Sequence, residues 1–240
     1  CDYLSSCGDL GFKRLHVIYR ETNYFFSGKG NFKCLREEVC KNFDRFILSE
    51  DDNVFSPNFL VYMNKGLERY EKDETVLALN GYCHFYSVLH EENNFIRENV
   101  DFSAWGYGIW RDRYEKFIMK ISPEYFRSRL SWETFWKIKK CGNFRLMRFL
   151  NYSYRDRIPI DDNSISNLMN VDDLDVIMPT LSLVRNMGWD NTGIHCSPKE
   201  KELSDHFTFQ KISEDKDFEF IGSGFERYDE NKKYLAKHAI

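Results

Sequence analysis

The 240-residue sequence predicts an α/β domain. Three observations lead to that class. Short apolar or β-branched runs alternate with segments whose apolar residues recur at helical spacing, the pattern of strands interleaved with helices. The composition, 42% hydrophobic and 30% charged, suffices for one sizeable core. One apolar run, RFILS (45–49), ends directly in three acids, Glu50, Asp51 and Asp52. Open α/β sheets hold their chemistry outside the carboxyl ends of strands, so these acids stand where such a sheet puts a ligand.

The elements follow in order. RLHVIYRET (14–22) alternates apolar and polar side chains and reads as a strand. NYFFSGKGN (23–31) is a glycine-containing loop, and FKCLREEVCKNF (32–43) has apolar residues at 32, 35, 39 and 43, one face of a helix. RFILS is a short buried strand. SPNFLVYMNKGLERYEKD (56–73) reads as a helix, with Ser56 as N-cap, Pro57 as first helical residue and Phe59, Leu60, Met63 and Leu67 as its buried stripe. TVLALNGY (75–82) is a strand closing on Asn-Gly. FSAWGYGIWRDRYEKF (102–117) starts extended and turns helical.

Residues 122–157 are helical, aromatic and cationic, and Asp161 or Asp162 opens a short helix through Leu168. LDVIMPTLSLVRNMGW (174–189) gives a strand and the loop after it. No strong linker divides the chain. Residues 1–200 form the domain, and 201–240 are a charged, weakly patterned extension, packed on the domain or partly mobile.

Charge and cysteine content narrow the class. A net charge of −4 speaks against broad nucleic-acid binding. No run of about 18 apolar residues exists to span a membrane. The seven cysteines are an odd set without a CxxC pair, which reads as thiols of a reducing, cytoplasmic compartment rather than a disulfide framework or a zinc site. The basic and aromatic stretch 125–155 reads first as a solvated amphipathic helix; it also suits peripheral attachment to the inner face of an anionic membrane.

Three neighbouring carboxylates repel one another. A solvated turn or a helix cap explains such a cluster, and so does a bound cation that makes the crowding favourable. Successive side chains of an extended segment alternate faces, so the three acids cannot share one task. Two explanations likewise compete at Asp161 and Asp162: an ordinary N-cap, or a carboxylate within reach of a reacting hydroxyl. SGKGN (27–31) lacks the spacing of a Walker-type phosphate loop, which ranks a phosphotransfer enzyme last.

Three stretches in order carry a resemblance. They are LSEDDNVFSPNFLVYMNKGLERYEKDETVLALNGY (48–82), SAWGYGIWRDRYEKF (103–117) and MPTLSLVRNMGWDNTGIHC (178–196). Together they resemble the GT-A glycosyltransferases, in particular bacterial family-two-like enzymes and the N-acetylglucosaminyltransferase I group. The resemblance implies a GT-A-like, Rossmann-related mixed sheet flanked by helices, and a metal-dependent, inverting enzyme of surface polysaccharide or glycoconjugate synthesis. Its partners would be a nucleotide-sugar donor and a glycan acceptor, with no nucleic acid, and its cofactor Mn²⁺ or Mg²⁺.

By the same resemblance Asp52 is the metal ligand, with His195 completing the metal shell or touching the diphosphate. Glu50 and Asp51 would contact the ribose or order the loop. Asp162 is the first choice for the base that deprotonates the acceptor, and Asp161 the second. Trp105, Gly106, Trp189 and Asp190 would contact substrate. The stretch before Glu50 departs from the family pattern and reads as lacking a first β-α-β unit, which is about 30 residues or more. That departure supports the alternative of a non-catalytic nucleotide- or carbohydrate-binding remnant of the same fold.

Overall fold

The structure, a computed structural model, describes residues 13, 15–16, 38–83, 95–99, 101–188, 211–222 and 225–226. The chain divides into a unit of residues 1–42 and a unit of residues 43–240. In the first, residues 38–42 are helical, inside the helix expected over 32–43. The strand expected over 14–22 lies outside the described residues, apart from 15 and 16.

The second unit is built on a mixed sheet flanked by helices, the α/β architecture expected. Its strands are β1 (Arg45–Leu48), β3 (Val76–Asn80), β4 (Phe95–Glu98), β5 (Tyr107–Trp110), β6 (Asp175–Pro179) and β8 (Phe225–Glu226), in the order β1-β5-β3-β6-β4-β8. β5 lies antiparallel between β1 and β3, and β3 runs parallel to β6. All residues of β3 and β5 are buried, as befits central strands covered on both faces. A separate antiparallel ribbon joins β2 (Asn53–Phe55) to β7 (Val184–Asn186).

Helix α1 (Phe59–Arg69) seats on this sheet through Phe59, Tyr62, Met63, Gly66 and Leu67, which recur at helical spacing along one face. Tyr62 Oη donates to the Ile177 carbonyl at 3.0 Å, and Trp110 Nε1 to the Leu67 carbonyl at 3.1 Å. Two details differ from the expected helix. Leu60 is 55% exposed, because Tyr62 rather than Leu60 falls on the core side. The helix also starts two residues after Pro57, and Ser56 is not its side-chain cap. Ser56 is buried; its N–H donates to the Leu183 carbonyl and its Oγ to Asn58 Oδ1.

Asn58 in turn ties down the C-terminal segment, its Nδ2 donating to Ser213 Oγ and the Asp217 carbonyl. Phe218 and Phe220 then pack on Tyr62, with ring centroids 4.8 and 5.4 Å away. This part of the extension is packed on the domain.

The cationic region 122–157 is three helices: α3 (Pro123–Ser128), α4 (Trp132–Lys140) and α5 (Asn143–Tyr154). Ser122 and Ser131 cap the first two by accepting backbone N–H groups, and Gly142, at φ 120°, makes the turn into the third. α6 (Asp162–Asp172) runs past the expected end at Leu168. Between β5 and α3 lies α2 (Arg111–Lys116), whose Arg113 is almost wholly buried. Its guanidinium stacks 3.5 Å from the Trp110 ring and donates to the carbonyls of Val76, Tyr70 and Glu71.

Arg113→Ala removes those donors and leaves carbonyls buried without them. We expect it to destabilise the fold by about 3 kcal/mol or more in urea denaturation. A loss near the level of an ordinary surface substitution would contradict this role.

Candidate functional site

The acidic turn is held by the strands on either side of it. β1 ends at Leu48; Ser49 Oγ then donates to the Glu50 carbonyl at 2.8 Å and accepts from Asn53 Nδ2 at 3.2 Å. Residues 51 and 52 turn, and β2 leaves to pair with β7. Asp51 is exposed, whereas Glu50 and Asp52 are half-buried, so the turn separates the three acids as alternation requires.

Asp52 is clasped by the far end of β7. Asn186 Nδ2 donates to Asp52 Oδ1 at 2.9 Å, and the Met187 N–H donates to the Asp52 carbonyl at 2.8 Å. Asn186 Oδ1 accepts the Gly188 N–H at 2.9 Å. A Cβ at Gly188 would stand 2.2 Å from Asp52 Oδ2, so any larger residue there would push this carboxylate from its place. Asn186 and Gly188 fall in the third resembling stretch, where Gly188 reads as part of a tight loop, but the sequence assigns neither a contact with Asp52. Their signal, Asn-x-Gly after a short apolar run, is common in plain turns.

At the start of α6 the structure separates the two competing aspartates. Asp161 is the N-cap: its Oδ1 accepts the Ser164 N–H at 2.8 Å, and Ser164 Oγ accepts the Asp161 N–H at 2.9 Å, a reciprocal capping box. That carboxylate is committed to the helix. Asp162 instead accepts the Ala104 N–H at 3.0 Å, through Oδ1, from the loop that leads into β5. Ser166 Oγ accepts the Phe102 N–H at 2.9 Å, so α6 holds this loop at two points.

Two carboxyls here are lifted to about 7. For Asp162 the main cause is desolvation by burial; the Ala104 N–H and Arg145 oppose it, and the charges of Glu50 and Asp161 add to it. For Glu50 burial again leads, followed by the charges of Asp52 and then Asp51. Glu50 thus feels the acidic turn and acts on Asp162, which brings segments distant in sequence into one electrostatic site.

Trp105 and Gly106 lie in the same loop. Trp105 is half-buried, edge-on to Tyr82 with centroids 4.7 Å apart, and its N–H donates to Ser103 Oγ. Gly106 is buried, at φ 69°, and a Cβ there would meet Phe55, Phe59 and Val184 at 3.0 to 3.1 Å. It therefore shapes the turn that carries Trp105 rather than presenting a surface to substrate. Trp189, Asp190 and His195 lie outside the described residues.

Asn80 was also not a sequence candidate. It ends β3 in register with Tyr107, which is in register with Leu48, so these three residues form one row at the sheet end from which the acids emerge. Its amide is completely buried, and among the described residues neither its nitrogen nor its oxygen has a hydrogen-bond partner. Comparison of the chain with protein-family models and with curated proteins gives no match.

The raised Asp162 has a consequence for stability. Between its ordinary value of 3.8 and about 7 the folded state binds more protons than the unfolded state, so stability falls as pH rises through that window. Below the window both states are protonated, and above it the penalty is complete and constant. Asn at this position can still accept the Ala104 N–H. Asp162→Asn is therefore expected to melt above the wild type at pH 8, with the gap closing towards pH 4. Each kcal/mol corresponds to roughly 2–4 °C for a chain of this size. A gap independent of pH would show that the carboxyl titrates normally.

Proposed function

We propose that this chain is a metal-dependent, inverting glycosyltransferase, moving a sugar from a nucleoside-diphosphate donor to a hydroxyl of a glycan acceptor. The observation that carries the reading is an aspartate, Asp162, whose carboxylate is not used as a helix cap, accepts the Ala104 N–H instead, and is raised in part by the charge of Glu50. A base for hydroxyl deprotonation works best with a pKa near the operating pH, and Asp162 is held at about 7. In the proposed step its carboxylate takes the acceptor proton while the acceptor oxygen bonds to the anomeric carbon. The bond from that carbon to the diphosphate breaks on the opposite face, and its electron pair leaves on the phosphate oxygen.

The residues present fit a hard divalent cation. The side chains of the turn offer carboxylate oxygens, and Glu50 is raised first by burial and then by the charges of Asp52 and Asp51. Among the described residues no three His, Cys, Asp or Glu side chains converge as a closed cage. Mg²⁺ and Mn²⁺ suit such a place, because they need one or two carboxylates and take phosphate and water for the rest. Asp52, fixed by Asn186, is the residue that would hold the ion. When bound, the ion would neutralise charge on the departing diphosphate.

Turnover should be assayed with UDP-, GDP- and dTDP-sugars, with Mn²⁺, Mg²⁺ or chelator. Asp162→Asn is expected to lower kcat by about 10²- to 10⁴-fold. Asp161→Asn, which keeps a capping oxygen, should leave kcat within a few-fold of wild type. The wild-type rate should rise with pH through about 7 as Asp162 ionises. Turnover that survives both chelator and Asp52→Ala would sink the proposal, and nucleotide binding without turnover would favour the binding remnant.

Gly188→Ala tests the clasp. The added methyl must displace the Asp52 carboxylate, so the metal concentration needed for half-maximal turnover should rise while far-UV circular dichroism stays unchanged. An unaltered metal requirement would mean that the position of Asp52 does not matter.

A further inference from the structure

Helices α4 and α5 each have an inner and an outer face. Ile138 on α4, and Leu146, Phe149 and Tyr152 on α5, are buried, so the contribution of both helices to the core is already made. The outer faces are nonetheless apolar and aromatic. Trp132 is 79% exposed, Trp136 57%, Phe144 61% and Met147 66%. Trp132 and Trp136 stand one turn apart on α4, linked through Phe135 by edge-to-face contacts at 5.9 and 5.4 Å. Phe144 and Met147 stand one turn apart at the start of α5, directly after the turn at Gly142.

The charge of this region is opposite to that of the chain. Residues 122–157 hold nine Lys and Arg against three Asp and Glu, in a chain whose net charge is −4. Some of these cations are paired: Arg129 with Asp172, Lys137 with Asp173, and Arg145 with Asp101. Others border the exposed aromatics. Lys139 and Lys140 are exposed at the end of α4, and the Arg148 guanidinium lies 4.8 Å from the Phe144 ring. The described acid on α4 is Glu133.

We propose that this outer face of α4 and α5 docks on an anionic lipid bilayer. Tryptophan and phenylalanine favour the headgroup level, where an apolar ring can be buried with its polar edge wet. Lysine and arginine around them reach lipid phosphates, and a helix with this division of faces lies in the interface plane. No helix among the described residues is long and apolar enough to cross a membrane, so the contact is peripheral. Protein interfaces also favour Trp, Phe, Met and Arg; the exposed Lys139 and Lys140, a residue type depleted there, point to a lipid surface instead. The acidic turn takes no part in this face.

The test is flotation of the full chain with vesicles of phosphatidylcholine alone and of phosphatidylcholine mixed with phosphatidylglycerol. The chain should float with the anionic vesicles, with a blue shift of tryptophan emission, and be released by high salt. Lys139→Gln with Lys140→Gln should weaken partitioning by roughly fivefold for each charge removed. Trp132→Ser with Trp136→Ser should abolish the blue shift. All four side chains are exposed, so unchanged circular dichroism of the variants establishes that they fold. Three results would each overturn the proposal. One is failure to bind anionic vesicles, or equal binding to both kinds. Another is a concentration-dependent dimer in sedimentation velocity that Trp132→Ser dissolves, which assigns the face to a second copy. The last is tighter binding to a single-stranded polynucleotide than to anionic vesicles.

Discussion

The side-chain amide of Asn186, donating to Asp52 Oδ1 at 2.9 Å, is the contact on which the acidic site depends. An acidic turn left to itself opens, because its carboxylates repel and water solvates each of them. Here the turn is closed by a strand distant in sequence. β7 pairs with β2, the Met187 N–H takes the Asp52 carbonyl, and glycine at 188 leaves room for the carboxylate. The position of Asp52 is therefore set by tertiary pairing. A carboxylate immobilised in this way meets a ligand without first losing conformational freedom, the advantage of a preorganised site.

The same division of labour operates at α6. A helix start requires an acceptor for its unpaired N–H groups, and Asp161 supplies it. With that need met by its neighbour, Asp162 can turn to the Ala104 N–H. Its carboxyl is then desolvated and close enough to feel the charge of Glu50, which disfavours ionisation and weakens the fold near neutral pH. The buried, unpaired amide of Asn80 in the row that includes Tyr107 is a second local cost at this end of the sheet. Elsewhere the buried sheet residues are mostly apolar, and the buried Arg113 of α2 donates to three carbonyls.

Helices α4 and α5 show the limit of composition as a guide to surface. Their aromatic content alone is compatible with core packing, the commonest fate of such side chains. Only the packing shows that Phe149 and Tyr152 are inside whereas Trp132, Trp136 and Phe144 are outside. Water-exposed rings bordered by cations are a surface property, and it arises because α5 places one face on its neighbours and leaves the other bare.

Much of the architecture was legible in the chain. The runs RFIL, VLALN and YGIW form strands, the acids follow the first of them, and the segment after Pro57 is helical with Phe59, Met63 and Leu67 inside. These features are local: periodicity fixes which side chains share a face, and three consecutive acids end a strand wherever it lies, although this strand proves half-buried at the sheet edge rather than buried. What sequence alone left unresolved was non-local. β4 is only four residues with a charged arginine in it, and that residue is stabilised by ion pairs with Asp73 and Asp175 that no local pattern announces. β7 is three residues within what reads as a loop, and it becomes a strand only because β2 offers it a partner. Asp161 and Asp162 are chemically identical neighbours, and the direction of each side chain was decided by the helix it starts and the loop it faces. The sequence by itself determined the class of fold and the strand end where the acids gather. The tertiary structure decided which carboxylate remains available there, because hydrogen-bond partners distant in the chain determine how each acid is used.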